Sequence, residues 1–194
     1  MECLVKMKGH EIIELLGTLL KGNEFIVGSN GNISRQVFHY LPKPQIYLRG
    51  SMGLPLAVGL GLAIAQSDRK VIVILGDGNF LMGLGSMATV SSLKPSNLKI
   101  LIIDNESYAT TGGQPTVSSV IDYETMIRGL GVKATISIYG NDNQSLIQEK
   151  LNWLLKGNSL QILHIKVQPG APPLANIPWH PIKIKNEFMS LIST

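Results

Sequence analysis

The sequence predicts an α/β fold in which helices cover both faces of a parallel sheet. Helical and strand-like patterns alternate along the chain, and the strand-like segments VIVIL (71–75) and LKILIID (98–104) are almost uninterrupted apolar runs. Such runs are typical of strands that are buried on both faces. With 194 residues, 44% of them hydrophobic, the chain is long enough to bury a sizeable core. We therefore expect one domain over residues 1–194, built as a three-layer, doubly wound parallel sheet.

The first half of the chain contains three helices and two strands by this reading. Ile12, Leu15, Leu16 and Leu19 recur at helical spacing and predict a helix over 10–21. The segment EFIVG (24–28) is strand-like, NISRQVFHYL (32–41) is helical, and PKPQIYLRGS (42–51) is expected to be a loop. A helix over 53–66 and a strand over 70–75 follow.

The second half continues the alternation. We predict a helix over 79–92, a strand over 98–104, a loop, a helix over 123–131 and a strand over 133–139. A helix over 143–155, a strand over 160–167, a proline-rich connection and a final helix over 183–193 complete the chain.

Composition excludes several classes of protein. The single cysteine, Cys3, permits neither an internal disulfide nor a cysteine-ligated metal centre, which favours a reducing compartment. The sequence shows no signal-peptide core and no apolar run suited to spanning a bilayer, so we expect a cytoplasmic protein without membrane association. The net charge of +4 is scattered along the chain, which indicates a small anionic ligand and not nucleic acid.

Four loops are placed to form a binding site. They are GSNGN (28–32), RGSMG (49–53), GDGN (76–79) and DNESYATTGGQPT (104–116). Each is predicted to follow a strand, and in parallel sheets ligands bind beyond the carboxyl ends of the strands. Their glycines and small polar residues let backbone amides approach an anion.

The last two of these loops predict a metal site. Residues 79–104, which are 26 positions holding one helix and one strand, separate Gly78 from Asn105. Asp77 and Asn105 should therefore lie at the ends of neighbouring strands. Their side-chain oxygens and the backbone carbonyl of Ser107 are three hard oxygen ligands, and Mg²⁺ takes about six, often including substrate or cofactor phosphates. The arrangement indicates a diphosphate held through Mg²⁺.

GDG, the 26-residue gap and the following Asn resemble the signature of the pyrophosphate-binding domain of thiamine diphosphate-dependent enzymes. GSMG resembles the loop of that family whose apolar residue, here Met52, supports the bent cofactor, and whose carbonyl, here of Gly50, accepts from the cofactor's 4-amino group. The resemblance implies Gly50 and Met52 as catalytic residues, and Asp77, Asn105 and Ser107 as Mg²⁺ ligands. The implied cofactor-binding residues are Gly31, Asn32, Gly50, Ser51, Met52, Gly76, Asp77, Gly78, Asn79, Asn105, Ser107 and Tyr108.

A narrower resemblance is to sulfopyruvate decarboxylase β subunits and phosphonopyruvate decarboxylases. It is carried by GSMGLPLAVGLGLAIA, GDGNFLMGLGSMAT, NLKILIIDN, TGGQPT and IPWHPIKIKNEFM, which together extend over nearly the whole chain. It implies decarboxylation of a 2-oxo acid with a second anionic group, which the amides of Gly112 and Gly113 and the side chain of Gln114 would bind.

Two residues depart from the family pattern. Many members have Ser where this chain has Asn79, which can still donate to a phosphate oxygen. Many have Asn where this chain has Asp104, whose negative charge near a diphosphate requires that the side chain point away or meet a lysine. Glu106 is expected to be a solvated loop residue. The four histidines share no motif and are expected at the surface or as satisfied core residues: His10, His39, His164 and His180.

An absence bears on function. Thiamine chemistry in this family needs a glutamate from a separate pyrimidine-binding domain, and none of the eight glutamates lies in a segment resembling that domain. The resemblance thus implies a hetero-oligomer with a separate pyrimidine-binding α subunit, and a lone chain that self-associates through the face bearing RGSMG and DNESYATTGGQPT. Two alternatives are a 2-oxoacid:ferredoxin oxidoreductase β subunit, whose iron–sulfur cluster one cysteine cannot hold, and a non-catalytic cofactor-binding module.

Overall fold

A computed structural model of the chain describes residues 7–41 and 45–192. Cys3 and residue 193 of the predicted last helix lie outside this part. Within these two ranges the α-helices are α1 (Gly9–Leu19), α2 (Asn32–Tyr40), α3 (Pro55–Ala65), α4 (Asp77–Met82), α5 (Leu84–Leu93), α6 (Tyr123–Gly129), α7 (Gln144–Lys156) and α8 (Pro181–Ile192). The strands are β1 (Phe25–Gly28), β2 (Gln45–Tyr47), β3 (Val71–Gly76), β4 (Leu98–Asp104), β5 (Ser107–Tyr108), β6 (Gln114–Pro115), β7 (Thr135–Tyr139) and β8 (Gln161–Lys166).

Six strands form one parallel sheet in the order β2-β1-β3-β4-β8-β7. From β1 the chain runs outward to β2, then returns to place β3 on the other side of β1 and builds the rest of the sheet in that direction. The sheet therefore has a switch point between β1 and β3, where the loops after the two strands diverge and leave a crevice. The predicted parallel sheet is confirmed.

The core lies on both faces of this sheet, as the apolar strands predicted. Alternate residues of β3 point to opposite sides: Ile72 and Ile74 belong to one buried cluster, Val71 and Val73 to the other. The first cluster is covered by α1, α2 and α7, the second by α3, α5 and α6. The fold is thus the predicted three-layer, doubly wound arrangement.

Three local predictions were wrong. The predicted loop 42–51 contains β2, a three-residue strand too short to give an apolar pattern. The predicted helix 79–92 is divided at Gly83, where a β-carbon would lie 2.3 Å from the carbonyl oxygen of Gly53, so only glycine allows this close approach. The loop after β4 contains the antiparallel pair β5 and β6 and a 3₁₀ helix, Val117–Val120. In the described residues, every helix is too short or too polar to cross a membrane.

Candidate functional site

A pocket opens at the carboxyl ends of β1, β3 and β4, beside the switch point. It collects residues from the first, third and fourth of the loops identified in the sequence, together with Met52 from the second. Ten predicted site residues line it: Gly31, Asn32, Met52, Gly76, Asp77, Gly78, Asn79, Asn105, Ser107 and Tyr108. Gly50 and Ser51 are exposed and are not among the lining residues.

Asp77 is the first residue of α4 and is 2% exposed. The hydroxyl of Thr116 donates to its Oδ2 atom at 2.5 Å. Burial, the largest influence, raises the pKa of Asp77 to about 6, because the ionised form is poorly solvated. A cation beside this carboxylate would offset that cost, so the environment suits a metal ligand.

Two consecutive turns shape the segment after β4. The carboxylate of Asp104 accepts from the Glu106 N–H at 3.0 Å, and the side-chain oxygen of Asn105 accepts from the Ser107 N–H at 3.1 Å. Glu106 takes the left-handed conformation, with φ of 54°, between them. The side chains of Asn and Asp stabilise such turns by bonding the backbone two residues on. As a result both Asn105 and Ser107 face the pocket that Asp77 lines.

Asp104 is 2% exposed, is absent from the pocket lining and meets a histidine, not a lysine. Its Oδ2 atom lies 3.0 Å from Nε2 of His164 and accepts the hydroxyl of Ser118. Burial opposes ionisation, but these bonds and the Glu106 N–H outweigh it and hold the pKa of Asp104 below its ordinary value. The charge is therefore satisfied inside the protein, away from the pocket.

The predictions for the histidines are confirmed at three positions but not at His10, and the prediction for Glu106 is wrong. His164 is buried, bonded to Asp104 and Ser137 and stacked on Tyr123 at 4.2 Å, so it is the expected satisfied core residue. Exposure of His39 and His180 also fits the prediction. His10 does not, because its Nδ1 atom is buried and finds no hydrogen-bond partner in the described part of the chain. Glu106 forms an ion pair with Lys166 at 2.7 Å and is not simply solvated.

The loop from Ser51 to Gly53 is held against the GDG turn. Ser51 and Gly53 both have positive φ, 58° and 87°. The Gly53 N–H donates to the side-chain oxygen of Asn79 at 3.1 Å, and the amide nitrogen of Asn79 donates to Asn30 at 3.0 Å. Asn79 therefore joins two loops, and only part of its amide is left for the predicted contact to a phosphate.

The predicted substrate residues lie on the exposed tip between β5 and β6. Gly112, Gly113 and Gln114 are exposed and are not among the pocket-lining residues. The Gly113 N–H donates to the carbonyl of Tyr108 at 3.2 Å, which closes the hairpin and takes this amide away from the role predicted for it. The Gln114 side chain accepts from Thr111 at 3.3 Å and keeps its amide donors. Substrate binding by Gly112 and Gln114 stays a prediction.

Sequence reasoning missed several parts of the site. Thr116 carries no motif that would reveal its bond to Asp77. Gln36, one turn into α2, lines the pocket with its Oε1 atom buried and without a partner in the described residues. The pocket wall after β8, from Val167 to Ala171, follows a strand end and could have been found by the rule that identified the other loops.

The donor set fits a hard divalent cation. It combines one carboxylate, one amide oxygen and one backbone carbonyl, and the described residues hold no group of three His, Cys, Asp or Glu side chains suited to a metal. Mg²⁺ sites of this kind complete their coordination with water and phosphate oxygens. Gly31 and Gly78 let neighbouring side chains pack closely at the pocket wall: a β-carbon would lie 3.2 Å from Thr110 Oγ1 at the first and 2.4 Å from Tyr108 Cε1 at the second. The residues present thus suit a metal-bound diphosphate.

Comparison with known proteins agrees with this geometry. The chain is 31% identical over 189 residues to the sulfopyruvate decarboxylase β subunit of Methanococcus maripaludis, covering 97% of this chain and 99% of that one. It is 32% identical over 184 residues to phosphonopyruvate decarboxylase of Streptomyces viridochromogenes, covering 94% of this chain but 45% of that one.

Among solved structures, benzoylformate decarboxylase from Polynucleobacter necessarius superimposes with a TM-score of 0.70 at 15% identity, over 88% of this chain and 35% of that one, a likeness of fold. Residues 27–165 match the family model described as thiamine pyrophosphate enzyme, C-terminal TPP binding domain. The chain therefore belongs to the family of C-terminal TPP-binding domains of thiamine pyrophosphate enzymes.

Proposed function

We propose that this chain is the diphosphate- and Mg²⁺-binding subunit of a thiamine diphosphate-dependent 2-oxo acid decarboxylase, a carboxy-lyase. The observation that carries the proposal is the convergence of Asp77, Asn105 and Ser107 on one pocket whose wall is formed by Gly78 and Met52. The decarboxylase names of relatives that align with nearly the whole chain support the reaction type.

Within the proposed site each element has a separate task. Asp77, Asn105 and the Ser107 carbonyl hold Mg²⁺, and the amides at Gly31, Asn32 and Gly78 bind the diphosphate. Such amides at helix N-termini favour anions. When bound, thiamine diphosphate supplies a carbanion that attacks the 2-oxo group and an electron sink as carbon dioxide leaves.

Other residues orient the cofactor's organic half. With the cofactor bound, the Gly50 carbonyl would accept from its 4-amino group, and Met52, which packs over Gly78, would support its organic half. Gly76 and Ser51 set the backbone of the two turns, and Tyr108 packs against Gly78 from the opposite hairpin. These residues bind and orient, whereas the acid that polarises the pyrimidine ring is not assigned to this chain.

The missing acid is proposed to come from a separate pyrimidine-binding α subunit. Apolar side chains around α4 support a docking surface beside the pocket. Leu54 follows the loop that packs on Met82, and the 3₁₀ helix that contacts α4 exposes Val117 and Val120. Val120 is 85% exposed, an unfavourable position for valine in water. We call Leu54, Met82, Val117 and Val120 the docking face for this partner. For the lone chain we propose self-association through the face bearing RGSMG (49–53) and DNESYATTGGQPT (104–116).

The proposed substrates are 2-oxo acids with a second anionic group, sulfopyruvate or phosphonopyruvate. The names of the relatives and the net charge of +4 support this class. The Gly112 amide and the Gln114 side chain are the proposed donors to the second anion. An uncharged replacement for that group should therefore react poorly.

The test is reconstitution. The purified chain is assayed with thiamine diphosphate and Mg²⁺ for carbon dioxide release from sulfopyruvate, phosphonopyruvate and pyruvate, alone and with a co-expressed pyrimidine-binding subunit. We expect turnover only with the partner, and with pyruvate the poorest substrate. Robust turnover by the lone chain would refute the proposal that a second subunit completes the active site. A preference for pyruvate would refute the proposed substrate class.

A further inference from the structure

Two buried hydroxyls follow the β5–β6 hairpin and point at two different carboxylates. We call residues 116–118 the return segment. Its first and last residues, Thr116 and Ser118, are 6% and 3% exposed, whereas Val117 between them is 63% exposed. Thr116 donates to Oδ2 of Asp77, and Ser118 donates to Oδ2 of Asp104. The return segment thus buries its two hydroxyls against Asp77 and Asp104 and leaves its valine exposed to solvent.

The two carboxylates belong to the two turns that carry the proposed metal ligands, Asp77 in the GDG turn and Asp104 in the turn from Asp104 to Ser107. Asp77 is itself a proposed ligand. Asp104 is not, but its Oδ1 atom holds the Glu106 N–H at 3.0 Å and so fixes the turn that presents Asn105. The return segment is also bonded directly to this turn, because the Thr116 N–H donates to the Glu106 carbonyl at 3.0 Å.

The direction of the Thr116 hydroxyl is determined by its surroundings. Its oxygen accepts from the Ser118 N–H at 3.4 Å, so its proton is left for Asp77. A carboxylate that receives a fixed donor on Oδ2 cannot rotate freely, so the hydroxyl restricts how Asp77 presents its oxygens to a cation. Groups that orient metal ligands in this way commonly determine metal affinity.

We propose that Thr116 is a positioning residue of the metal site, which fixes the Asp77 carboxylate in its ligating orientation. This rests on the proposed function, since it takes Asp77 to be a metal ligand. Thr116 also caps the 3₁₀ helix through the Ser118 N–H. A purely structural role would therefore lower the unfolding temperature of Thr116→Val without changing the metal affinity of the folded protein.

The test measures Mn²⁺ binding to the 194-residue chain by electron paramagnetic resonance in the presence of thiamine diphosphate. Thr116→Val keeps the shape but removes the donor, and we expect its Kd for Mn²⁺ to rise about 10- to 100-fold. Thr116→Ser keeps the hydroxyl and should bind within about threefold of the unchanged chain. Ser119→Ala, at the exposed residue that follows the return segment, is the matched control and should have no effect.

The outcomes separate this inference from the function on which it rests. If the unchanged chain and Ser119→Ala fail to bind Mn²⁺, the proposed metal site is wrong. If they bind and Thr116→Val binds equally well, only the role of Thr116 is wrong. A Thr116→Ser variant as weak as Thr116→Val would show that the methyl group matters and would also overturn the positioning role. Circular dichroism confirms that each variant is folded.

Discussion

The methyl carbon of Met52 lies 3.1 Å from the point where a β-carbon on Gly78 would stand, and Cε1 of Tyr108 lies 2.4 Å from that point. Two side chains from separate loops thus close on the one glycine of the GDG turn that has no room for a methyl group. A methyl group there would have to displace Tyr108 or Met52, so Gly78 is the most sensitive of the glycines that line the pocket.

Gly78→Ala should weaken cofactor binding by about tenfold or more, because the new methyl group displaces Tyr108, next to the ligand Ser107. Alanine favours a helix by up to about 1 kcal/mol over glycine, so helix propensity does not predict lost stability. Gly85→Ala in α5, where a β-carbon meets nothing within 4 Å, is the matched control. Calorimetric titration with thiamine diphosphate and Mg²⁺ checks both, and equal affinities would contradict the crowding argument.

Met52→Ala should lower kcat of the reconstituted enzyme by about tenfold or more while changing cofactor affinity much less. The diphosphate stays anchored through Asp77 and Asn105, but the reacting groups lose their enforced approach. Steady-state kinetics beside cofactor titration measures the two effects. A kcat equal to that of the unchanged enzyme would indicate that Met52 is only a packing residue.

The metal-free chain should lose stability as pH rises from 4.5 to 7. Burial raises the pKa of Asp77 from 3.8 to about 6, so in this window the folded state binds more protons than the unfolded state and the free energy of unfolding falls with pH. Over this window the loss is about 2 kcal/mol. Urea unfolding with EDTA measures it, and Mg²⁺ with thiamine diphosphate should recover stability at pH 7.

Asp77→Asn is the control for that pH dependence. It keeps the size of the side chain and removes its titration, so its stability should vary less between pH 4.5 and 7. If the free energy of unfolding of this variant falls with pH as steeply as that of the unchanged chain, other titrating groups cause the loss of stability. Asp104 acts in the opposite direction and at lower pH, since its depressed pKa gives stability that is lost only as pH falls below about 4.

Val120→Lys should prevent association with the pyrimidine-binding subunit, because a charge replaces an apolar contact in the docking face. The isolated variant should fold normally, since the side chain is 85% exposed. Ile182→Lys, which also replaces an exposed apolar side chain by a charged one but lies on α8, is the control. Analytical ultracentrifugation of the mixed subunits checks the result. If Val120→Lys still forms the complex, Val120 is not part of the interface.

How much the sequence could predict depended on whether a signal was local. β3, β4 and the turns after them were predictable because continuous apolar runs end at glycine or at Asp104 within a few residues. The bond from Thr116 to Asp77 joins residues 39 apart, and that from His164 to Asp104 joins residues 60 apart. No local pattern marks either pair. The sequence therefore predicted which loops line the pocket, but not the distant bonds that orient their side chains.

The strand order has a kinetic consequence. Every neighbouring pair in the six-stranded sheet is parallel, so no pair can form through a hairpin, and each requires the ends of a long loop to meet first. Proteins dominated by such distant contacts fold slowly. β8 can pair with β4 only when the loop of residues 105–160 has closed. Since His164 reaches Asp104 from β8, the bond that supports the turn at Asn105 forms only with this distant pairing.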